Sequence, residues 1–343
     1  MRILLIALLI FFKGYTQDRK FYHITSNEGL SQSEVYSFLK DSQGFMWFGT
    51  LDGLNRFDGY NIKTFNTELN NKKSLSNNII RSLAEDAEGR IWIGTDDGLN
   101  LYSPESESII QIIPVSANNK KLYINSLLIY EGFLYLGTGN GLFRIKLNTH
   151  KKEDNNYFVQ RVLIDDPKIN STILKLKECS TGGVWVQTNN SVSRIVLNNT
   201  SNNAIVLETP IYEPSSDFFS IVEDLSNNVW VTTSNNGVLR YNLINKKKTW
   251  FQNTNSEFGL SSSKTSDLTI DKDGNLWIGT LDAGINTAAK EDLNKDNVVF
   301  QKIKHNPFNE SSLNSNLVRT LYVSKDAVLW VGTIGAGINY YNF

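Results

Sequence analysis

Short apolar stretches alternate with short polar turns along this chain, and the rhythm holds from about residue 20 to the end. One unit, Asp86 to Tyr102, reads DAEGRIWIGTDDGLNLY: a turn with Gly89, an apolar run centred on Trp92, a Gly-Thr pair, an Asp-Gly turn and a second apolar run. Such runs, bounded by Gly, Asp and Asn, predict β-strands joined by tight turns. Around this unit the pattern predicts four strands: Ile79 to Glu85, Arg90 to Thr95, Leu99 to Ser103, and one near Ile109 to Ile113.

The unit recurs. Aligned on its aromatic residue it is centred on Trp47, Trp92, Tyr135, Trp185, Trp230, Trp277 and Trp330, at spacings of 45, 43, 50, 45, 47 and 53 residues. Three residues after each aromatic stands a threonine: Thr50, Thr95, Thr138, Thr188, Thr233, Thr280 and Thr333. Three residues before it stand Gly44, Gly89, Gly132, Gly182, Asn227, Gly274 and Ala327, six of them types that tolerate φ > 0 in a hairpin turn. A period in the forties with strand content predicts an all-β, seven-bladed β-propeller over residues 20–343, four strands to a blade. The last repeat stops after its third strand, while Lys20 to Ser26 forms an orphan strand ahead of the first repeat. Closure is therefore expected by exchange, with the N-terminal strand completing the last blade and removing the open edge.

Length would otherwise suggest two domains, but the repeat fills the 343 residues as one. A net charge of −1 gives no electrostatic case for nucleic acid or an anionic membrane as partner. Met1-Arg2 followed by the apolar run Ile3 to Phe12 reads as a secretory signal peptide over residues 1–16. No other run is long and apolar enough for a membrane helix, so no direct membrane insertion is expected. Cys179 is the single cysteine, which excludes an internal disulfide. The expected compartment is the periplasm.

The recurrent aromatic reads as packing between blades and the recurrent threonine as a strand residue bonded to backbone. Asp41, Asp86, Asp224 and Asp271, each six residues before an aromatic, read as turn formers. The segment Asp271 to Asn275 lacks the glycine and terminal glutamate of a calcium loop, and His23, His150 and His305 fall on outer strands or loops. No catalytic residues, metal ligands or cofactor are assigned. Where the first strand of each blade begins, Tyr36, Arg81, Ile124, Leu174, Phe219, Ser266 and Arg319 share one position yet differ in type. Variation at a symmetric position is what a binding mouth requires, because a ligand lacks sevenfold symmetry. Candidate ligand contacts are Arg81, Arg319, Tyr36 and Phe219, with Asn78 and Asn316 in the turns preceding the arginines.

The units FMWFGTLDGLNRFDG, RIWIGTDDGLNLY and NLWIGTLDAGIN, with the opening FYHITSNEGLSQSEVYSFLK, resemble the two-component regulator propeller repeat. That repeat forms the periplasmic sensor of hybrid two-component histidine kinases in Bacteroidetes. The resemblance implies an oligosaccharide-sensing propeller that regulates polysaccharide-utilisation genes and works with a homodimer partner or with a second propeller and a kinase module. This sequence ends after one propeller and carries no kinase motif, so catalysis by the chain itself is not expected. Two other readings stay open: a propeller enzyme like the streptogramin-inactivating lyases, which use a channel-mouth histidine with a metal, and a scaffold that binds another protein.

Overall fold

The computed structural model describes residues 19–112, 122–147, 157–166, 169, 172–198, 203–213, 217–254, 256 and 258–343. The signal-peptide segment 1–16 and His150 lie outside the described residues. The strands form seven sheets, and the first strand of each touches the first strand of the next until the seventh meets the first. The chain is a seven-bladed β-propeller with these first strands around its axis. In the second blade the strands are Ile80–Glu85, Ile91–Thr95, Gly98–Ser103 and Ser108–Ile112, within a residue or so of the pattern in the sequence.

Closure is by exchange. Tyr22–Ile24 pairs antiparallel with the third strand of the last blade, Ile338–Asn342, in the register Tyr22↔Tyr340, His23↔Asn339, Ile24↔Ile338. Phe21 and Ile24 are buried on either side of this blade, and the Tyr22 ring stacks on Tyr340 at 5.2 Å. The fourth blade departs from the plan. Its outer strand runs ten residues, Asn203–Tyr212, and Leu163–Ile164 joins it in parallel as a fifth strand that covers part of its open edge.

The core is divided into seven apolar clusters, one in each seam between blades. Every recurrent aromatic faces the following blade: Trp47 packs with Ile80 and Tyr102, Trp92 with Ile124, and Trp330 closes the ring against Val35 and Phe48. The Gly of the Gly-Thr pair permits that approach. A Cβ on Gly94 would lie 2.6 Å from Ile124 Cγ2, and one on Gly49 2.7 Å from Ile80 Cγ2. Each recurrent threonine donates to a carbonyl beyond the following turn, as in Thr95 Oγ1 to Gly98 O at 2.9 Å and Thr333 Oγ1 to Gly337 O at 2.7 Å.

The recurrent aspartates do more than form turns. Asp86 Oδ1 accepts from the backbone N–H of Glu88 and Arg90, while Oδ2 accepts from Trp92 Nε1 at 2.8 Å. Asp41, Asp224 and Asp271 repeat this clamp on Trp47, Trp230 and Trp277 at 2.7, 2.7 and 2.9 Å. One carboxylate thus fixes the hairpin and satisfies the indole that the seam buries. All seven turn positions before the aromatics have φ between 60° and 95°, including Asn227 and Ala327.

Candidate functional site

The first strand of a blade carries a register shift near its start in six of the seven blades, before Ser37, Ser82, Ser126, Ser220, Leu268 and Thr320. A bulge inserts an unpaired residue and re-aims its side chain, and here it does so at the rim of the axial channel. The residues so placed are Tyr36, Arg81, Asn125, Phe219, Ser266 and Arg319. In the fourth blade Leu174 occupies the position, its N–H on Gln187 O at 2.8 Å just ahead of the strand Lys175–Glu178.

All seven line one cavity of about 220 Å³ at the channel mouth, joined by Lys175, Asp267, Leu281 and Thr320. Of the seven first-strand positions read from the sequence, six line it; Ile124 is fully buried in its seam and paired with Thr138, and Asn125 takes its place at the rim. Asn125 donates to Ile173 O at 2.9 Å, reaching across to the fourth blade.

The two arginines reach the cavity already paired. Arg81 forks onto Asp96 at 2.7 and 3.1 Å, and Arg319 bonds Glu34 at 2.6 Å across the seam that closes the ring. Tyr36 lies between them, with the guanidinium carbons 4.7 and 5.0 Å from its ring centre, and Arg81 also covers Tyr123 at 5.4 Å. Burial raises the Tyr36 phenol above its ordinary range; Arg319 and Arg81 oppose that shift and Glu34 adds to it. The cluster is charge-balanced and locked by its own contacts. Phe219, 40% exposed, is the most open apolar surface among the rim residues.

Asn78 and Asn316 do not line the cavity. Asn78 accepts from Thr67 N and donates to Asp52, and its carbonyl receives Gly53 N–H. Asn316 accepts from His305 N and its carbonyl receives Gly284 N–H. Both tie the loop entering a blade to the preceding blade. Sequence reasoning passed over Asn55, Asn100, Asn286 and Asn339, fully buried third-strand residues whose carbonyl oxygens hold Ser31, Ser76, Ser261 and Asn314 N–H at 2.8 to 3.0 Å. Their recurrence one residue after Gly-Leu or Gly-Ile was the available signal. The described histidines serve the last blade: His23 Nε2 meets Ser312 O at 2.9 Å and His305 Nδ1 meets Leu313 O at 2.6 Å.

The model of the two component regulator propeller matches residues 29–52, 74–97 and 259–282. Each match spans an entering loop, the first strand with its bulge, the Asp turn and the second strand through its Gly-Thr pair. Three segments of this chain therefore match the two-component regulator propeller repeat. It is 41% identical over 63 residues to a histidine kinase of Formosa agariphila, a match that covers 18% of this chain and 5% of that protein. A solved extracellular domain, assigned to a hybrid two-component system of B. thetaiotaomicron, superposes with a TM-score of 0.72 at 23% identity over 94% of this chain and 42% of that one. Virginiamycin B lyase from Staphylococcus aureus superposes at 0.63 with 13% identity, covering 94% of this propeller and 98% of the lyase. These likenesses establish the fold. The propeller spans less than half of the hybrid-system domain and a small fraction of the kinase.

Proposed function

We propose that this propeller is the exported, ligand-sensing part of a two-component system, that it binds an oligosaccharide at the channel mouth, and that it performs no catalysis itself. One observation carries the reading. Aromatic, threonine, aspartate and third-strand asparagine recur from blade to blade, whereas the rim position is Tyr, Arg, Asn, Leu, Phe, Ser and Arg in turn. A structural position in a repeat converges on one residue type; a rim that holds an asymmetric molecule does not. Phe219 offers a ring face to a sugar, and Asn125 and Ser266 offer polar groups. At about 220 Å³ the cavity admits one end of a chain rather than a long segment.

Binding signals only if the ligand has different affinities for two arrangements of the assembly, whether a homodimer or a second propeller joined to a kinase. Placement in the periplasm follows from the N-terminal segment, and mass spectrometry of the exported protein should find Gln17 at its start. The site reading is tested by thermal shift of the purified chain against neutral and acidic oligosaccharides. A ligand at about 100 times its Kd adds about 2.7 kcal/mol to stability and raises Tm accordingly. Phe219→Ala should keep the unliganded Tm and lose that rise. The reading fails if no saccharide shifts the folded protein, or if Phe219→Ala responds as the parent does.

A further inference from the structure

The charges at the mouth are not evenly committed. Arg81 and Arg319 are matched by Asp96 and Glu34, and the Asp267 carboxylate accepts from Thr320 Oγ1 at 2.8 Å and from Leu321 N at 2.9 Å. Lys175 and Lys177 stand apart. They lie two residues apart on Lys175–Glu178, the strand of the fourth blade nearest the axis, so their side chains leave the strand on the same side. Neither ammonium has a hydrogen-bond or ion-pair partner among the described residues.

Their registers show how unusual they are. Lys175, paired with Gln187, stands level with Ser37, Ser82, Ser126, Ser220, Asp267 and Thr320. Lys177 is the cross-strand partner of Trp185, where the other blades place Leu39, Ala84, Leu128, Val222, Thr269 and Tyr322 opposite their aromatics. It is therefore the one charged side chain at its level. Lys177 is solvent-exposed although it stands on an innermost strand, where the available solvent is that of the axial channel. Desolvation there pulls its ammonium below the ordinary lysine range; Lys175 deepens the shift and Asp267 opposes it. Two cations without a bonded partner thus share this strand: Lys175 lines the cavity and Lys177 stands two residues further along, while the cavity's one acid, Asp267, is held by Thr320 and Leu321.

We propose that the channel mouth selects an oligosaccharide whose end carries an anionic group, a uronate carboxylate or a sulfate ester, received by Lys175 at the rim and Lys177 beneath it. This rests on the saccharide-sensing reading above and adds the charge of the ligand to it. Phe219, on the adjacent blade, places a ring face beside the anion for the sugar that bears it.

The test uses the full chain and isothermal titration with three probes: a galacturonate trisaccharide, the neutral galactose trisaccharide of the same linkage, and a sulfated disaccharide. The expected result is binding of an acidic probe, the preferred one telling carboxylate from sulfate, with affinity that falls as salt rises. Loss of one charge-assisted hydrogen bond weakens binding by about tenfold or more, and Lys175→Gln and Lys177→Met should each show that loss with Tm unchanged or higher. The inference is overturned if the neutral trisaccharide binds as tightly as the acidic probes, or if the double lysine variant keeps the parent's affinity. In those cases the saccharide reading survives. If none of the probes binds and the wider saccharide panel is silent too, both fall together.

Discussion

Replacing Asp86 by alanine tests the physical claim on which the blades rest, that one buried carboxylate holds both the hairpin and the indole. The Asp86 side chain is fully buried and accepts four hydrogen bonds: Trp92 Nε1 at 2.8 Å, Arg90 Nε at 2.7 Å, Arg90 N at 3.0 Å and Glu88 N at 3.1 Å. Not all are lost at equal cost. Arg90 keeps Glu88 Oε2 at 2.9 Å and some access to water, and Glu88 N lies in an exposed turn. Trp92 is fully buried, so its N–H has nowhere to go. An orphaned buried donor costs about 1–3 kcal/mol, and removing one partner of a buried ion pair about 3–5 kcal/mol in all. With the arginine rehydrated, the low end applies, about 3–4 kcal/mol. Unfolding entropy of about 2.1 cal/mol/K per residue turns that into a fall in Tm of roughly 5 °C for a chain of this length. The last blade supplies the converse: Ser324 occupies the aspartate position, its hydroxyl donates to Val328 O, and Trp330 Nε1 is buried without a partner. Ser324→Asp should satisfy that indole and raise Tm by a degree or two. Calorimetry with tryptophan fluorescence, checked for coincident transitions, measures both. Asp86→Ala within 0.5 °C of the parent, or Ser324→Asp below it, would refute the clamp.

Three further outcomes follow from single features. Ala327 sits at φ 61°, a left-handed conformation that costs an L-residue about 1–2 kcal/mol, so Ala327→Gly should stabilise by about 1 kcal/mol in urea denaturation. Removing residues up to Ile24 strips the closing strand from Ile338–Asn342 and bares its edge; light scattering should then detect association, and Tm should fall well below that of the chain starting at Gln17. The lowered pKa of Lys177 means that the unfolded chain takes up its proton at a higher pH than the native one. The native state is thus penalised as pH falls from about 10.4, the unfolded lysine value, through the folded pKa, and fully below it. Lys177→Met should raise Tm at neutral pH, and that gain should shrink above the unfolded lysine pKa.

The fold was legible because a propeller writes its physics once per blade. A seam needs an aromatic at one depth, a hairpin needs a residue at φ > 0, and a Gly-Thr pair needs both close approach and a hydroxyl. These appear at Trp92, Gly89, Gly94 and Thr95 and again in most repeats. The closing strand was readable for the same reason, since Tyr22–Ile24 precedes an entering loop as outer strands do elsewhere. Blade four's fifth strand was not, because parallel pairing of Leu163 with Asn203 depends on where a long loop returns and leaves no local pattern.

The rim was legible in part, and the miss at Ile124 shows why. Counting back from the aromatic assumes equal hairpins, yet Tyr130 pairs directly with Phe133 across the two-residue turn Glu131-Gly132, whereas Glu85 and Ile91 are separated by five residues. The register of the strand against Tyr135 therefore advances by one, and the bulge falls on Asn125. A one-residue slip exchanges the faces of a strand, which is why it moves Ile124 into the seam and an amide to the mouth. The partner of Arg319 was beyond reach for another reason: Glu34 and Arg319 are 285 residues apart and meet because the ring closes. The Arg319–Glu34 ion pair at the mouth is thus a property of closure. That is also why the unmatched cations became visible only after every other charge had been paired, and why Lys175 and Lys177, ordinary in an alternating strand, carry the strongest chemical signal at the mouth.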